Sequence, residues 1–498
     1  MRRYFQAIAI GALVLLGAGA VAFFYRNGSI LYFGDAEAHL NIARRIFDSR
    51  TPGYNQVGTV WLPLLHWLLI PFVRVDALWI NGLAGAIPSA VAFVIGGGFL
   101  FAAARRFFAD DAAACAALAL WALNPNVLYL ASIPMTESLW SASLMGVLYF
   151  TLRFRDTQTL WPAAAAGIAA LAGTLTRYEG WFVLPFTALY FLLAAKPRRI
   201  LPAAIFCAVS GIGPLFVLFH HWWLTGDALA FYRGPYSPRA IQNGVDYPGH
   251  HKWGVAAFYF GSAAQICAGA VLAAVAVAGA VVALRRRAFW GLVLLALPGV
   301  FIIWAMYATG GTPIYVPVLK PFSYYNSRYG MALLPFFALA AASLIPAAPA
   351  RARWWAAALM AIACSAPWML HPTPSSWITW EESRVNSEGR REWTRQVVEY
   401  LKPRYVRGSG ILTETGDFAG IYRRMGIPLR ETFTADNDLP YVATTRRPEL
   451  FLHEEWIVTQ GGGDAQSAAI RAGLRDKQYR LEKTIIVKDS PVIEIYRP

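Results

Sequence analysis

Apolar runs recur between residues 5 and 370, and many approach the ~20 residues that cross a bilayer as a helix. Read by hydropathy, they predict about eleven crossings, near 5–26, 80–104, 112–132, 139–153, 160–176, 181–195, 200–222, 255–284, 288–308, 329–347 and 354–370. Every second boundary carries clustered arginine or lysine, in "RR" at the start and then "ARRFFADD", "RFRD", "KPRR", "RRR" and "ARAR". The boundaries between them, "SIPMTES", "TRYEG", "HHWWLTGD", "TGGTP" and "HPTP", are aromatic, acidic, histidine- or proline-bearing. That alternation matches the positive-inside bias and predicts a cytoplasmic N-terminus. The basic start could open a cleaved signal peptide, but its apolar core is long for one and predicts a retained first helix.

The short apolar segment 60–73 contains Pro63 and Pro71, and counting it as a crossing would reverse the charge pattern. It predicts a juxtamembrane helix within a first external loop over 26–79. Beyond residue 370 the pattern changes. Residues 376–402 read as an amphipathic helix, and "GILTET", "EWIVTQ", "TIIVK" and "PVIEIY" read as strands, with "AQSAAIRAGLRDK" helical between them. The expected organisation is a polytopic α-helical membrane domain, 1–370, followed by a soluble α/β domain, 371–498, on the external side. No internal sequence repeat is visible.

Composition agrees with a membrane protein. The chain of 498 residues is 57% hydrophobic and 15% charged, against about a quarter charged in soluble proteins, and its mean hydropathy is +0.41. The net charge of +15 sits in arginine clusters at the ends of apolar runs, so it reads as topology and not as a nucleic-acid surface. Cys115, Cys207, Cys267 and Cys364 all lie in apolar runs and read as small hydrophobes.

Chemistry concentrates on the side predicted to be external. Asp35 and His39 share one face of a helix starting near Gly34, and Ala36, Leu40, Ala43 and Phe47 form its apolar seam. Glu37 lies about 200° around from Asp35 at 100° per residue, facing elsewhere with Asn41 and Arg44. Asp35 either caps this helix or aims at a shared site. Glu137, Arg177, Glu179, Lys320 and Arg328 fall at the ends of other spans, near Tyr324, Tyr325 and Asn326. Ionisable groups at a span are costly and mark function by default, although Arg177 and Glu179 could also form an internal pair. His220 and His221 read as interfacial, and "PGHH" at 248–251 as an exposed loop. No spacing suggests a metal site. A guanidinium grips phosphate oxygens and a carboxylate can accept a hydroxyl proton, a combination suited to a lipid-phosphate substrate.

Four stretches, "GDAEAHLNIARRI", "LNPNVLYLASIPMTESLW", "LTRYEGWFVLP" and "NSRYGMALLP", resemble motifs of the GT-C superfamily of membrane glycosyltransferases. Within it they are similar to protein O-mannosyltransferases, aminoarabinose transferases of lipid A and GPI-type mannosyltransferases. The resemblance implies an inverting glycosyltransferase in a bacterial inner membrane, using a polyprenyl-phosphate sugar and an unidentified protein, lipid or glycan acceptor. Asp35 would be the base, Arg328 the phosphate ligand helped by Lys320 and Tyr325, and Glu37, His39, Glu137, Arg177 and Glu179 the sugar or acceptor pocket. Ala36 separates Asp35 from Glu37, where the mannosyltransferases have adjacent acids, and this weakens the assignment of Glu37. Oligosaccharyltransferase catalytic subunits share this plan but hold a metal with several aspartates. The segment around Glu137 has no such Asp pair, so no cofactor is expected to be obligatory, with a divalent metal left open. A transporter or flippase is the alternative. It would place charges near the midplane on broken helices, often with inverted repeats.

Overall fold

The computed structural model describes residues 2–498 except 197–198, 236, 242–245, 287–288, 309–311, 462–469, 473 and 475–478. It separates into two compact units. One comprises Met1–Asn27, Thr59–Leu65 and Ala86–Glu382, and the other Gly28–Gly58, His66–Gly85 and Ser383–Pro498. The helix Ile378–Leu401 contributes to both.

The first unit is helical. Among the described residues, five helices are long and apolar enough to cross a membrane: Phe5–Arg26, Leu83–Phe108, Ile200–Thr225, Trp290–Ala308 and Ser327–Ala347. The expected crossings at 112–132, 160–176 and 181–195 are the shorter apolar helices Asp111–Ala122, Trp161–Thr174 and Glu179–Ala194. Those at 139–153 and 354–370 are the helices Glu137–Thr157 and Arg353–Leu370. One expected crossing needs correction. The run 255–284 is two helices, Trp253–Ala268 and Ala270–Arg285, meeting at 109°. Hydropathy is blind to the hinge, Gly269, whose φ of 83° suits a residue without Cβ. A Cβ there would come within 2.6 Å of the Trp368 indole. Further along, Tyr259, Phe260, Ile302, Met306, Ile314 and Val316 make a core against which Tyr329 and Leu333 pack. His220 and His221, expected at an interface, are buried in the protein, against Phe216 and Phe231 respectively.

Among its described residues the second unit carries a five-stranded sheet. Its strands are β1 (Ile411–Thr413), β2 (Thr432–Phe433), β3 (Trp456–Gln460), β4 (Arg480–Ile485) and β5 (Ile493–Arg497), in the order β2-β1-β3-β5-β4. β1 is parallel to both β2 and β3, and β5 is antiparallel to β3 and β4. The expected strand at 484–488 begins earlier, at Arg480. Its first five residues are exposed, as an edge strand allows, so the apolar "TIIV" misplaces it. The expected helix over 465–477 falls largely outside the described residues. Leu412, Phe433, Tyr441, Leu452 and Ile457 form the core on this sheet.

In the same unit the helix Gly34–Arg45 buries Ala36, Leu40 and Ala43 completely, as the seam predicts. This helix and the residues that follow it, up to Arg50, are fastened to the C-terminal part of the unit by charge. Glu37 Oε1 meets Arg423 Nη2 at 2.5 Å, Arg45 pairs with Asp436, and Arg50 Nη1 meets Glu454 Oε1 at 2.5 Å. Asp48 accepts from the backbone N–H groups of Leu429 at 3.2 Å and Arg430 at 3.3 Å.

Candidate active site

Three helices, a turn and a 3₁₀ segment of the first unit bring five charged side chains together. Glu137 and Glu179 are the first residues of the helices Glu137–Thr157 and Glu179–Ala194, where the helix macrodipole favours a carboxylate. Arg177 lies in the turn before the second of these helices. Arg328 belongs to the 3₁₀ segment Ser327–Leu333. That segment lies so close to the helix Trp253–Ala268 that a Cβ on Gly330 would collide with the backbone of Ala263 and Ala264. The fifth group, Glu382, comes from the start of the helix Ile378–Leu401.

The charges alternate. Arg177 Nε donates to Glu179 Oε1 at 2.8 Å, and its Nη1 donates to Thr136 Oγ1 at 3.2 Å and Glu137 Oε1 at 3.3 Å. The same Glu137 oxygen lies 3.3 Å from Arg328 Nε, and Arg328 Nη1 lies 3.5 Å from Glu382 Oε1. The Tyr329 ring sits 5.0 Å from the Arg177 guanidinium carbon and 5.6 Å from that of Arg328, within cation–π range. Glu137, Arg177, Glu179, Arg328 and Tyr329 line a small, partly open cleft whose apolar wall includes Trp140, Leu144, Ile302 and Pro335.

The fold therefore gathers Glu137, Arg177, Glu179 and Arg328 from stretches far apart in sequence. Sequence reading missed Glu382, Thr136 and Tyr329. A signal for Glu382 existed in "WITWEES", two adjacent acids within a dozen residues of the last apolar run. Lys320 and Tyr325 belong to an exposed hairpin-like segment of the same unit. Tyr325 exchanges backbone hydrogen bonds with Tyr315, and the Lys320 carbonyl accepts from Tyr259 Oη at 2.8 Å. Neither lines the cleft.

Asp35, Glu37 and His39 belong to the second unit. Asp35 is half-buried as the second residue of its helix, and the N-cap is Phe33, with no side-chain capping bond. Asp35 is therefore not the N-cap. Glu37 is buried against Arg423, and a Cβ on Gly420 would meet its carboxylate at 2.8 Å. His39 is buried too, its Nδ1 2.9 Å from His66 Nε2. Burial and the neighbouring His39 and Arg45 hold the His66 imidazole well below the usual histidine range. Among the described residues no group of three or more His, Cys, Asp or Glu is arranged to hold a metal ion.

The Glu37–Arg423 pair carries a prediction of its own. Arg423→Ala leaves a carboxylate buried without this partner and is expected to cost about 3–5 kcal/mol, read as a lower melting temperature of the detergent-solubilised protein. Adding Glu37→Gln should recover most of the loss.

Comparison with known proteins agrees with this architecture. The family described as dolichyl-phosphate-mannose-protein mannosyltransferase matches residues 62–223. No curated protein matches the sequence. Among solved structures, ArnT from Cupriavidus metallidurans bound to undecaprenyl phosphate superposes with a TM-score of 0.60 at 14% identity, covering 98% of both chains. The apo state of the same protein gives 0.56 at 14% identity, again covering 98% of both. The chain thus shares the fold of ArnT along nearly its whole length, and over residues 62–223 it is similar to the mannosyltransferase family.

Proposed function

We propose that this protein transfers a sugar from a polyprenyl-phosphate donor to an acceptor hydroxyl at the extracytoplasmic face of the membrane, with inversion at the anomeric carbon. The observation that carries the reading is the pair of guanidiniums, Arg177 and Arg328, in a cleft with an apolar wall. Such a site suits a phosphate attached to a lipid. The capture of undecaprenyl phosphate by the structurally similar ArnT supports a donor of that class. In the reaction the acceptor oxygen forms a bond to the anomeric carbon as the bond from that carbon to the phosphate oxygen breaks. The leaving polyprenyl phosphate takes the electron pair, and Arg328 stabilises its growing charge. Asp35 takes the hydroxyl proton. Glu137, Arg177 and Glu179 orient the sugar.

The transporter reading gains one point from the broken pair of helices at Gly269. However, residues 261–284 contain no Asp, Glu, Lys or Arg, so the broken pair itself supplies no charged group. Purified protein in detergent, given a polyprenyl-phosphate sugar and a mixture of hydroxyl acceptors, should release polyprenyl phosphate in step with glycosylated product. In liposomes, movement of the intact donor across the bilayer without cleavage would replace this reading by the transporter.

A further inference from the structure

Three carboxylates, Glu137, Glu179 and Glu382, face two guanidiniums, Arg177 and Arg328, leaving one negative charge in excess. An anionic phosphate cannot enter such a cluster favourably unless one carboxylate gives way. Glu137 bridges both arginines, and Glu179 pairs with Arg177. Glu382 differs in being held from behind. Its Oε2 accepts from Ser327 Oγ and from the backbone N–H of Arg328, the latter at 3.3 Å. Its other oxygen meets the Arg328 guanidinium at 3.5 Å, longer than the ~2.7–2.9 Å of a strong charge-assisted bond.

A buried polar bracket fixes Glu382 in that place. Asn126 Oδ1 accepts from the backbone N–H and the hydroxyl of Thr379, each at 3.0 Å. Thr379 lies three residues before Glu382, on the same helical face. The Asn124 and Asn126 side-chain amides both donate to the Cys267 carbonyl, and Cys267 Sγ in turn lies 3.3 Å from the Ser327 carbonyl. The bracket thus ties the helix bearing Glu382 to the segment bearing Arg328.

We propose that Glu382 is an internal counter-ion on the phosphate-facing guanidinium of Arg328, and that the donor phosphate binds by displacing it, with uptake of a proton. The role rests on the donor-phosphate reading of Arg328. The groups facing Glu382 are Arg328 and Ser327 of the 3₁₀ segment and Cys267 on the helix Trp253–Ala268, with Glu137 beyond Arg328. Of these, Arg328 alone is cationic, so a carboxylate that loses it is left buried without a counter-charge and takes a proton. Burial already pushes this carboxyl up, against the opposing pull of Arg328 and Ser327. The sign follows. If binding takes up a proton, affinity falls as pH rises.

The probe is a polyprenyl methyl phosphodiester, whose single negative charge does not titrate over the range used. For wild-type protein in detergent, its affinity should fall about tenfold between roughly pH 5.5 and 8. Glu382→Gln should flatten that profile and bind more tightly than wild type at the alkaline end. It should also lower KM and kcat together, because product leaves more slowly. A merely structural role predicts weaker binding and no change in pH profile, and that result would overturn the proposal. A flat wild-type profile would overturn it too, whether or not the variant folds. The neutralised pair Arg328→Gln/Glu382→Gln separates the two ideas. If it binds the probe like wild type, the donor reading itself fails. If it loses binding while the wild-type profile is flat, only the role of Glu382 fails.

Discussion

Asp35→Asn is expected to lower kcat by about 10²–10⁴-fold, the range for a lost general base, while binding of polyprenyl phosphate stays at the wild-type level. The amide keeps the size and one acceptor oxygen of the carboxylate but cannot take the hydroxyl proton. The change should cost little stability. Asp35 is half-buried in the first turn of Gly34–Arg45, where a negative charge contributes only about 0.3–1 kcal/mol through the macrodipole. Release of polyprenyl phosphate in the presence of acceptor is the measurement. Turnover at the wild-type rate would remove Asp35 from the chemistry. Glu37, buried and committed to its pair with Arg423, is not a substitute.

The second large effect belongs to Arg328→Ala, expected to reduce kcat/KM for donor cleavage by about 10²–10³-fold, as when a fixed donor to a developing oxyanion is removed. A stability cost accompanies it. Glu382 is 1% exposed, and without Arg328 it is left buried without its counter-charge and must take a proton, at a cost of up to about 3–5 kcal/mol, as when a buried partner is deleted. Activity and melting temperature should therefore both fall. Arg328→Lys separates them. It keeps the charge and most of the stability but loses the planar fork, so a variant that melts near wild type should still be slow with donor. Full activity in the lysine variant would mean that charge alone suffices.

The ends of most apolar helices were legible because a charged cluster beside a long apolar run marks where the chain meets water. Glu137, Arg177, Glu179 and Arg328 were legible for the same reason, each being an ionisable group at the rim of such a run. What periodicity could not reveal was pairing. Glu382 lies in a helix whose polar face looks ordinary, and its meaning depends on Ser327 and Arg328, some 55 residues earlier. Gly269 looks like one more small residue in "CAGAV", yet it bends the chain by 109°. The two-residue strand β2 is too short to alternate at all. The wheel separation of Glu37 from Asp35 was informative, but its partner, Arg423, was beyond reach of any local pattern.

The segment 34–50 and its partners Arg423, Leu429, Arg430, Asp436 and Glu454 lie at opposite ends of the chain. During synthesis, the loop containing Asp35 emerges early and must wait for several hundred residues before its ionic partners exist. Closure over so long a separation is slow. The proposed base is thus set in place only after the last quarter of the polypeptide has been made, so a ribosome that stops short leaves a membrane-inserted but inert protein.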